Sequence, residues 1–451
     1  MSETLLCALL LVGLPIALAS APKIFNDGDV SWHIATGRWI LEHRQIPLAD
    51  PFSFTAFGYP WVATEWLSDV ILATAFNAAG YSGLAALVAA ALAALHWIVF
   101  ARARRSLGAL GIAATIAAMD AVLGSFLFAR PHLLVWPMLA AWTSILLTAM
   151  ENRRPPPLWS ALLMVVWTNA HPSFPLGLLI AGAIALDALI AARWKTWRPW
   201  SAFLLAALLG SLLNANGAAG LLQPLKITQL SMLPNIVEWR PSTPAVTPQF
   251  YGVVILVAAA VVWRRPSLPL GRTALVGVLL ALAFSQVRHQ SWLAIVAALI
   301  LPSLFRSPAR LEARMRAYVA AAIPLIALRA SLPFIPAENA ANPRGLIAAV
   351  PPAFRAQPVL NGYSLGGPLI LAGIRPYIDG RAEIYGDRFF ADYLAITGGN
   401  EAHFDEAVAR YGIRWTMLPY SDAPLIRRLD ASPHWRRIYA DRVGVIHVRA
   451  E

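Results

Sequence analysis

Charge is the first thing this sequence lacks. Of its 451 residues only 13% are Asp, Glu, Lys or Arg, against about 25% in an ordinary globular domain, while 58% are hydrophobic and the mean hydropathy is +0.59. No water-facing surface absorbs such an apolar surplus. The composition therefore excludes a soluble globular chain and makes the bilayer the main solvent. Cysteine is nearly absent as well. Cys7 alone, inside the first apolar run, excludes an intrachain disulfide, and the lack of clustered Cys and His excludes zinc-finger and iron–sulfur modules. Negative charge is missing from the middle of the chain: of the 24 Asp and Glu residues, 12 follow position 335 and six lie between positions 27 and 69. The acid-rich last quarter reads as a separate water-facing domain, and the 27–69 stretch as part of a polar loop.

Apolar runs suited to a bilayer fall at 5–25, 82–101, 107–129, 132–150, 157–171, 173–192, 199–214, 249–263, 270–286, 289–305 and 317–334, about eleven candidate helices. Basic residues alternate with them. Arg102, Arg104, Arg105, Arg153, Arg154, Arg193, Lys195, Arg198, Arg264, Arg265, Arg272, Arg306, Arg310, Arg314 and Arg316 fall in one set of loops, fifteen cations against only Arg130 and Arg288 in the short loops opposite. The positive-inside rule makes the first set cytoplasmic. It also accounts for the net charge of +12 and the pI of about 10.3, so no nucleic-acid partner is expected. The predicted organisation is an α-helical polytopic membrane domain over 1–334, with outer loops 26–81 and 215–248, followed by a small extracytoplasmic α/β domain over 335–451. A cleaved signal peptide over 1–21 is a rival for the first run, because Ala19-Ser20-Ala21 has the small-residue cleavage spacing. Against it, Glu3 stands where basic residues belong and Pro22 follows the cut.

The first outer loop carries Asn26-Asp27-Gly28-Asp29, then Trp32-His33, Gly37-Arg38-Trp39, Asp50-Pro51-Phe52 and Trp61-Val62-Ala63-Thr64-Glu65-Trp66. For Asp29 the bland reading is N-cap of a helix over 30–43, whose tryptophans anchor in the interface. The chemical reading is an Asp-x-Asp pair in which one carboxylate takes the proton of an acceptor hydroxyl while the other orients it or binds a cation.

An acidic pair opening the first outer loop, helices within that loop, ten or more membrane helices and an outward α/β domain together resemble the GT-C glycosyltransferase superfamily. That superfamily includes the protein O-mannosyltransferases and the aminoarabinose transferase of lipid A. The loop and the stretch Tyr377-Ile378-Asp379-Gly380-Arg381-Ala382-Glu383-Ile384-Tyr385-Gly386 also resemble a large set of uncharacterised bacterial membrane proteins. The resemblance implies a hexosyl or pentosyl transferase in the bacterial inner membrane. Its donor would be a sugar on a polyprenyl phosphate, its acceptor an envelope glycan, lipid or protein, and its general base Asp27 or Asp29. Those families show adjacent Asp-Glu here, whereas Gly28 intervenes in this chain, so both carboxylates stay candidates. No cofactor is implied with certainty; a divalent cation is compatible, and its ligands are not legible.

A phosphate-linked donor needs cations outside. Arg130 with His132, Arg288 with His289, and Arg240 are the candidates for the donor phosphate and lipid, since an Arg fork matches phosphate oxygens bidentately; snorkelling to headgroups is the alternative for each. His33, Glu65, His171, Glu238 and Trp239 are further candidates for the same cavity. Asp120 and Asp187 lie within apolar runs, where acids are costly. Asp187 is six residues from Arg193, so interfacial solvation explains it, while Asp120 has no sequence partner and keeps open a rival class, a transporter or scaffold of envelope polysaccharide assembly. In the last quarter, strands are predicted at 357–360, 377–379 and 414–418, helices at 368–372, 389–396, 401–411 and 424–429, and a closing hairpin at 435–439 with 443–448. Asp379, Arg381 and Glu383 alternate along one face, either as a surface ion-pair ladder or in an acceptor-binding or cavity-capping role.

Overall fold

The computed structural model describes residues 3–266, 269–305 and 315–450. Arg306, Arg310 and Arg314 of the predicted cytoplasmic loop lie outside them. Every apolar run predicted from the sequence contains a helix, but their lengths differ. Among the described residues five helices are long and apolar enough to cross a bilayer: Trp66–Ala103, Ala109–Phe126, Pro131–Glu151, Phe174–Ala191 and Val287–Leu304. Trp197–Leu212 and Gly217–Ile227, bent by 92°, make a sixth if they form one broken span. The remaining runs form shorter helices, Leu5–Ala19, Leu158–Ala170, Pro248–Arg264, Leu270–Ser285 and Ala317–Ser331. At 1.5 Å per residue these fall short of a hydrocarbon core of about 30 Å. Of the eleven candidate helices, five, or six with the broken pair, are long and apolar enough by length and composition to cross a bilayer.

The helix Trp66–Ala103 begins far inside the predicted outer loop. It breaks at Ala79 and Gly80, where Gly80 takes φ +57°, a conformation glycine adopts at little cost. Just past the break, Gly83 packs against the carbonyl of Ala75. A straight helix would hold residues eight apart about 12 Å from each other. The chain therefore folds back sharply, and its first leg belongs with the loop rather than with the span.

The C-terminal domain is a four-stranded sheet in the order β1 (Val359–Asn361), β2 (Trp415–Pro419), β4 (Gly444–Arg449), β3 (Trp435–Ala440). β1 and β2 are parallel and the other pairs antiparallel. The two-residue period sorts its core. Leu360, Leu418 and Val445 face the helices Ala382–Thr397, Glu401–Tyr411 and Ala423–Ala431, while Val359, Trp415, Met417, Ile446 and Val448 pack with Leu346 and Leu369 on the other side. The predicted strand at 377–379 is an error: the segment is coil. Its backbone is satisfied by side chains instead of a ladder, for Tyr377 N–H donates to Asn361 Oδ1 at 2.7 Å, and the carbonyls of Ile378 and Tyr377 accept from Asn361 Nδ2 at 2.8 Å and Thr55 Oγ1 at 2.6 Å.

A candidate active site at the first-loop acidic pair

The loop helix starts one residue earlier than predicted. It runs Asp29–His43 with Gly28 at the N-cap. The side chain that serves its start is Asp27, whose Oδ1 accepts from Asp29 N–H at 2.9 Å. Asp29 therefore does not cap the helix, and its carboxylate turns to Arg130. That arginine leaves the chain just before the helix Pro131–Glu151. Its guanidinium meets Asp29 at 3.0 Å, Asp27 at 2.9 Å and Glu238 at 3.5 Å. One cation thus faces three anions. Burial pushes Asp29 up to about 7 against the pull of Arg130, with Asp27 and Glu238 adding to the rise. Glu238 is held low: burial alone would raise it, but Arg130 and Arg288 outweigh that.

The C-terminal domain closes over this pair at backbone distance. Gly367 lies against the carbonyl of Gly28, Gly28 against the carbonyl of Ser364, and Gly380 against the carboxylate of Asp29 and the indole nitrogen of Trp32. A side-chain carbon at any of the three would collide. A buried clamp holds the contact. Arg381 grips Asp379 bidentately at 2.7 and 2.8 Å and reaches Asp50 of the first loop at 2.7 Å. Its guanidinium lies 4.8 Å from the Trp61 ring centroid and 5.1 Å from that of Phe52. Tyr385 donates to Asp379 at 2.6 Å, and Trp61 donates to Glu383 at 3.2 Å. Asp379 and Arg381 are 0% and 1% exposed, so the surface-ladder reading is overturned. The second loop is tied down too, as Asp387 accepts from the backbone of Ser231 and Met232 at 3.0 and 2.9 Å.

Beside the pair runs a second array. Asp69 meets His33 Nδ1 at 2.6 Å, Glu65 stands 3.8 Å from His33 Nε2 and 3.3 Å from His171 Nε2, and His171 Nδ1 meets Ser173 Oγ at 2.8 Å. Burial pushes Glu65 up to about 8. Burial also lowers His33 and His171 well below the usual imidazole range, with Arg130 and Arg288 the next contributors respectively, so both rings are neutral.

The other predicted residues divide. Arg288 stacks on the Trp239 ring at 4.0 Å, next to Glu238. Arg240 does not join the cluster: it is exposed and folds back onto the carbonyls of Pro234 and Asn235 at 2.7 and 3.3 Å. His132 and His289 bind the carbonyls of Phe126 and Leu282 at 2.8 and 3.2 Å. Among the described residues no group of three or more His, Cys, Asp or Glu is arranged to hold a metal ion. Sequence reading missed Asp69, Ser173 and Asp50 as site residues, and it named Arg381 without its partner Asp50. Only Asp69 carried a local signal, four residues after Glu65 on one helical face. It missed His96 as well, whose Nε2 lies 3.0 Å from Asp120 while Nδ1 meets the carbonyl of Leu10 at 2.9 Å. Asp187, assigned to solvation near Arg193, instead accepts from the backbone of Gly271 and Arg272 and pairs with the Arg272 side chain at 3.0 Å.

Helical membrane domain, acidic first loop and capping αβ domain give the chain a GT-C-like fold. Among solved structures it is similar to the archaeal oligosaccharyltransferase AglB from Archaeoglobus fulgidus, in complex with an inhibitory peptide and a dolichol-phosphate. The match has a TM-score of 0.55 at 11% identity and covers 99% of this chain and 74% of that one. No protein-family model and no curated protein sequence matches the chain.

Proposed function

We propose that the chain is a membrane glycosyltransferase that moves a sugar from a polyprenyl-phosphate donor to a hydroxyl of an envelope glycan, lipid or protein. The observation that carries this reading is Asp29: a carboxylate relieved of capping, lifted to about 7, and held against an arginine inside a GT-C-like fold. Asp29 takes the proton of the acceptor hydroxyl as that oxygen bonds to the anomeric carbon. The bond from that carbon to the phosphate oxygen breaks, and the polyprenyl phosphate departs with the electron pair. Arg130 and Arg288 are the groups suited to its charge. The dolichol-phosphate held by the archaeal enzyme supports a lipid-linked donor.

The chain would then lie in a bacterial inner membrane, and the distribution of arginines supports an outward C-terminal domain over 335–451. A reporter active only outside the cytoplasm should work when inserted near Gly217 and stay silent near Arg154 or Arg265. Activity near Arg154 reverses the orientation and removes the site from the face where such donors would be met.

Asp29→Asn is the sharper experiment. Asn keeps the size of the side chain and removes the basic oxygen, so transfer of a lipid-linked sugar should fall about 10²–10⁴-fold with thermal stability nearly unchanged. An Asn variant as active as the parent ends the assignment of Asp29 as base.

A further inference from the structure

Three arginines are buried among the described residues, and two of them have their counter-charge within the protein. Arg102 pairs with Glu151, and Arg381 with Asp50 and Asp379. Arg329, 6% exposed near the end of the helix Ala317–Ser331, pairs with no carboxylate among the described residues. Along that helix only Ala322 and Arg329 are buried, seven residues apart on the face packed against the helix Trp66–Ala103. The guanidinium therefore does not snorkel out into water. Its hydrogen bond runs from Nη1 to the carbonyl of Leu332 at 2.9 Å, and the Phe334 ring lies 5.0 Å from its central carbon. A carbonyl and a ring face ease the burial of a charge without neutralising it. Nε has no partner, and Nη2 makes no hydrogen bond among the described residues. These two N–H groups share one edge, the fork that fits two phosphate oxygens.

The free edge sits at a joint. Ser82, just past the break at Gly80, donates to the carbonyl of Leu332 at 2.8 Å and accepts from Phe334 N–H at 3.0 Å. Phe334 meets Phe25 edge to face at 4.8 Å, Phe25 meets Tyr81 at 5.0 Å, and Tyr81 meets Phe76 at 5.2 Å. Arg38 lies 5.0 Å from the Phe76 ring at the far end of this row, again with no carboxylate partner among the described residues. Aromatic rings at the ends of apolar helices mark the headgroup level of a bilayer. Beside Arg329, Leu325, Leu328 and Leu332 repeat at helical spacing and are exposed, a flank suited to acyl chains. A buried cation at this depth calls for an anion, and a lipid phosphate brings both the charge and the chains. In phosphatidylcholine an ammonium already answers that phosphate, so the better match is a headgroup whose negative charge is unmet.

The geometry points to a binding site at Arg329 for the phosphate of an anionic phospholipid, at the joint between the last membrane helix and the C-terminal domain. The site goes beyond the glycosyl-transfer reading and does not depend on it. Its effect would reach the acidic pair, because the carbonyl of Phe25 accepts from Asn342 Nδ2 at 2.6 Å and Asn26 Oδ1 accepts from Asn339 Nδ2 at 2.8 Å. A lipid that fixes Phe334 against Phe25 steadies the segment that leads into Asp27.

Thermal unfolding of the full-length protein in dodecyl maltoside tests it, with dioleoylphosphatidylglycerol, dioleoylphosphatidylcholine or inorganic phosphate added in turn. Phosphatidylglycerol should raise the melting point of the parent at a concentration about tenfold lower than Arg329→Gln requires, the size expected for one charge-assisted hydrogen bond. It should also act at a lower concentration than phosphatidylcholine, and inorganic phosphate should leave the melting point unchanged. Gln keeps a donor for the Leu332 carbonyl and removes the charge. Arg329→Lys keeps the charge and gives up the fork; it should lose most of the preference for phosphatidylglycerol, and it carries the test if the Gln variant does not fold. A variant that responds to phosphatidylglycerol at the parent's concentration overturns the site, as does a parent that responds equally to the two lipids. A parent stabilised as well by inorganic phosphate has a site for the free ion, which overturns the assignment to a lipid.

Discussion

Inside the helical bundle His96 meets Asp120, Arg272 meets Asp187 and Arg102 meets Glu151, so each of these acids has at least one cationic or imidazole partner. Where the bundle meets the C-terminal domain, Arg130 is shared by Asp27, Asp29 and Glu238, and Glu65 sits between two neutral imidazoles. Both regions bury ionisable groups, which is costly unless they are paired and hydrogen-bonded. The bundle meets that cost by matching, which leaves its acids with little to offer a substrate. The mouth keeps an excess of carboxylates, and burial lifts Asp29 and Glu65 to about 7 and 8, where a proton is gained or lost near neutrality.

Breaking the buried Arg381 network at the mouth should have the largest effect. Arg381→Met leaves Asp50 and Asp379 buried without their cation, a loss of about 3–5 kcal/mol, measured by denaturant unfolding of the detergent-solubilised protein. Transfer should be lost with it, because Gly380 is then released from Asp29. Unchanged stability would mean that the domain is held on by its other contacts. The pH profile comes next. Asp29 must be ionised to act as base, so the rate should fall about tenfold per pH unit below about 6 as the carboxylate protonates. Arg130 pulls this limb down and Asp27 and Glu238 push it up. A profile flat from 5 to 9 removes the assignment of Asp29. The smallest effect belongs to Asp120→Asn, which keeps a hydrogen-bond acceptor for His96 and should change transfer less than twofold. A transporter in which Asp120 carries protons would instead be disabled by it in a flux assay.

The same division governs what could be read from the amino acids. Apolar runs and the strands at 414–418 and 443–448 are local patterns, and each has its helix or strand in the fold. The acidic pair was legible because its two members are two residues apart. The pairing of Asp50 with Arg381 was not, for the two are far apart in the chain and only the docked domain brings them to 2.7 Å. The misread strand at 377–379 shows the limit in another way. Tyr377 and Ile378 are as buried as strand residues, yet Asn361 and Thr55 replace the ladder, and no two-residue period reveals that substitution. Asp29 looked like a cap because caps are the common fate of an Asp before a helix. The competing donor was Arg130, 101 residues on.

The clamp also sets a clock. Asp50 and Arg381 are 331 residues apart in the chain, and at a synthesis rate of 5–20 residues per second the first waits about 15–65 s for the second. Throughout that interval the acidic pair lacks Gly380, and Trp32 stands uncovered. A nascent chain therefore carries every residue of its membrane domain before it has a complete site, and its chemistry begins only when the last quarter has been made and has closed down on the first.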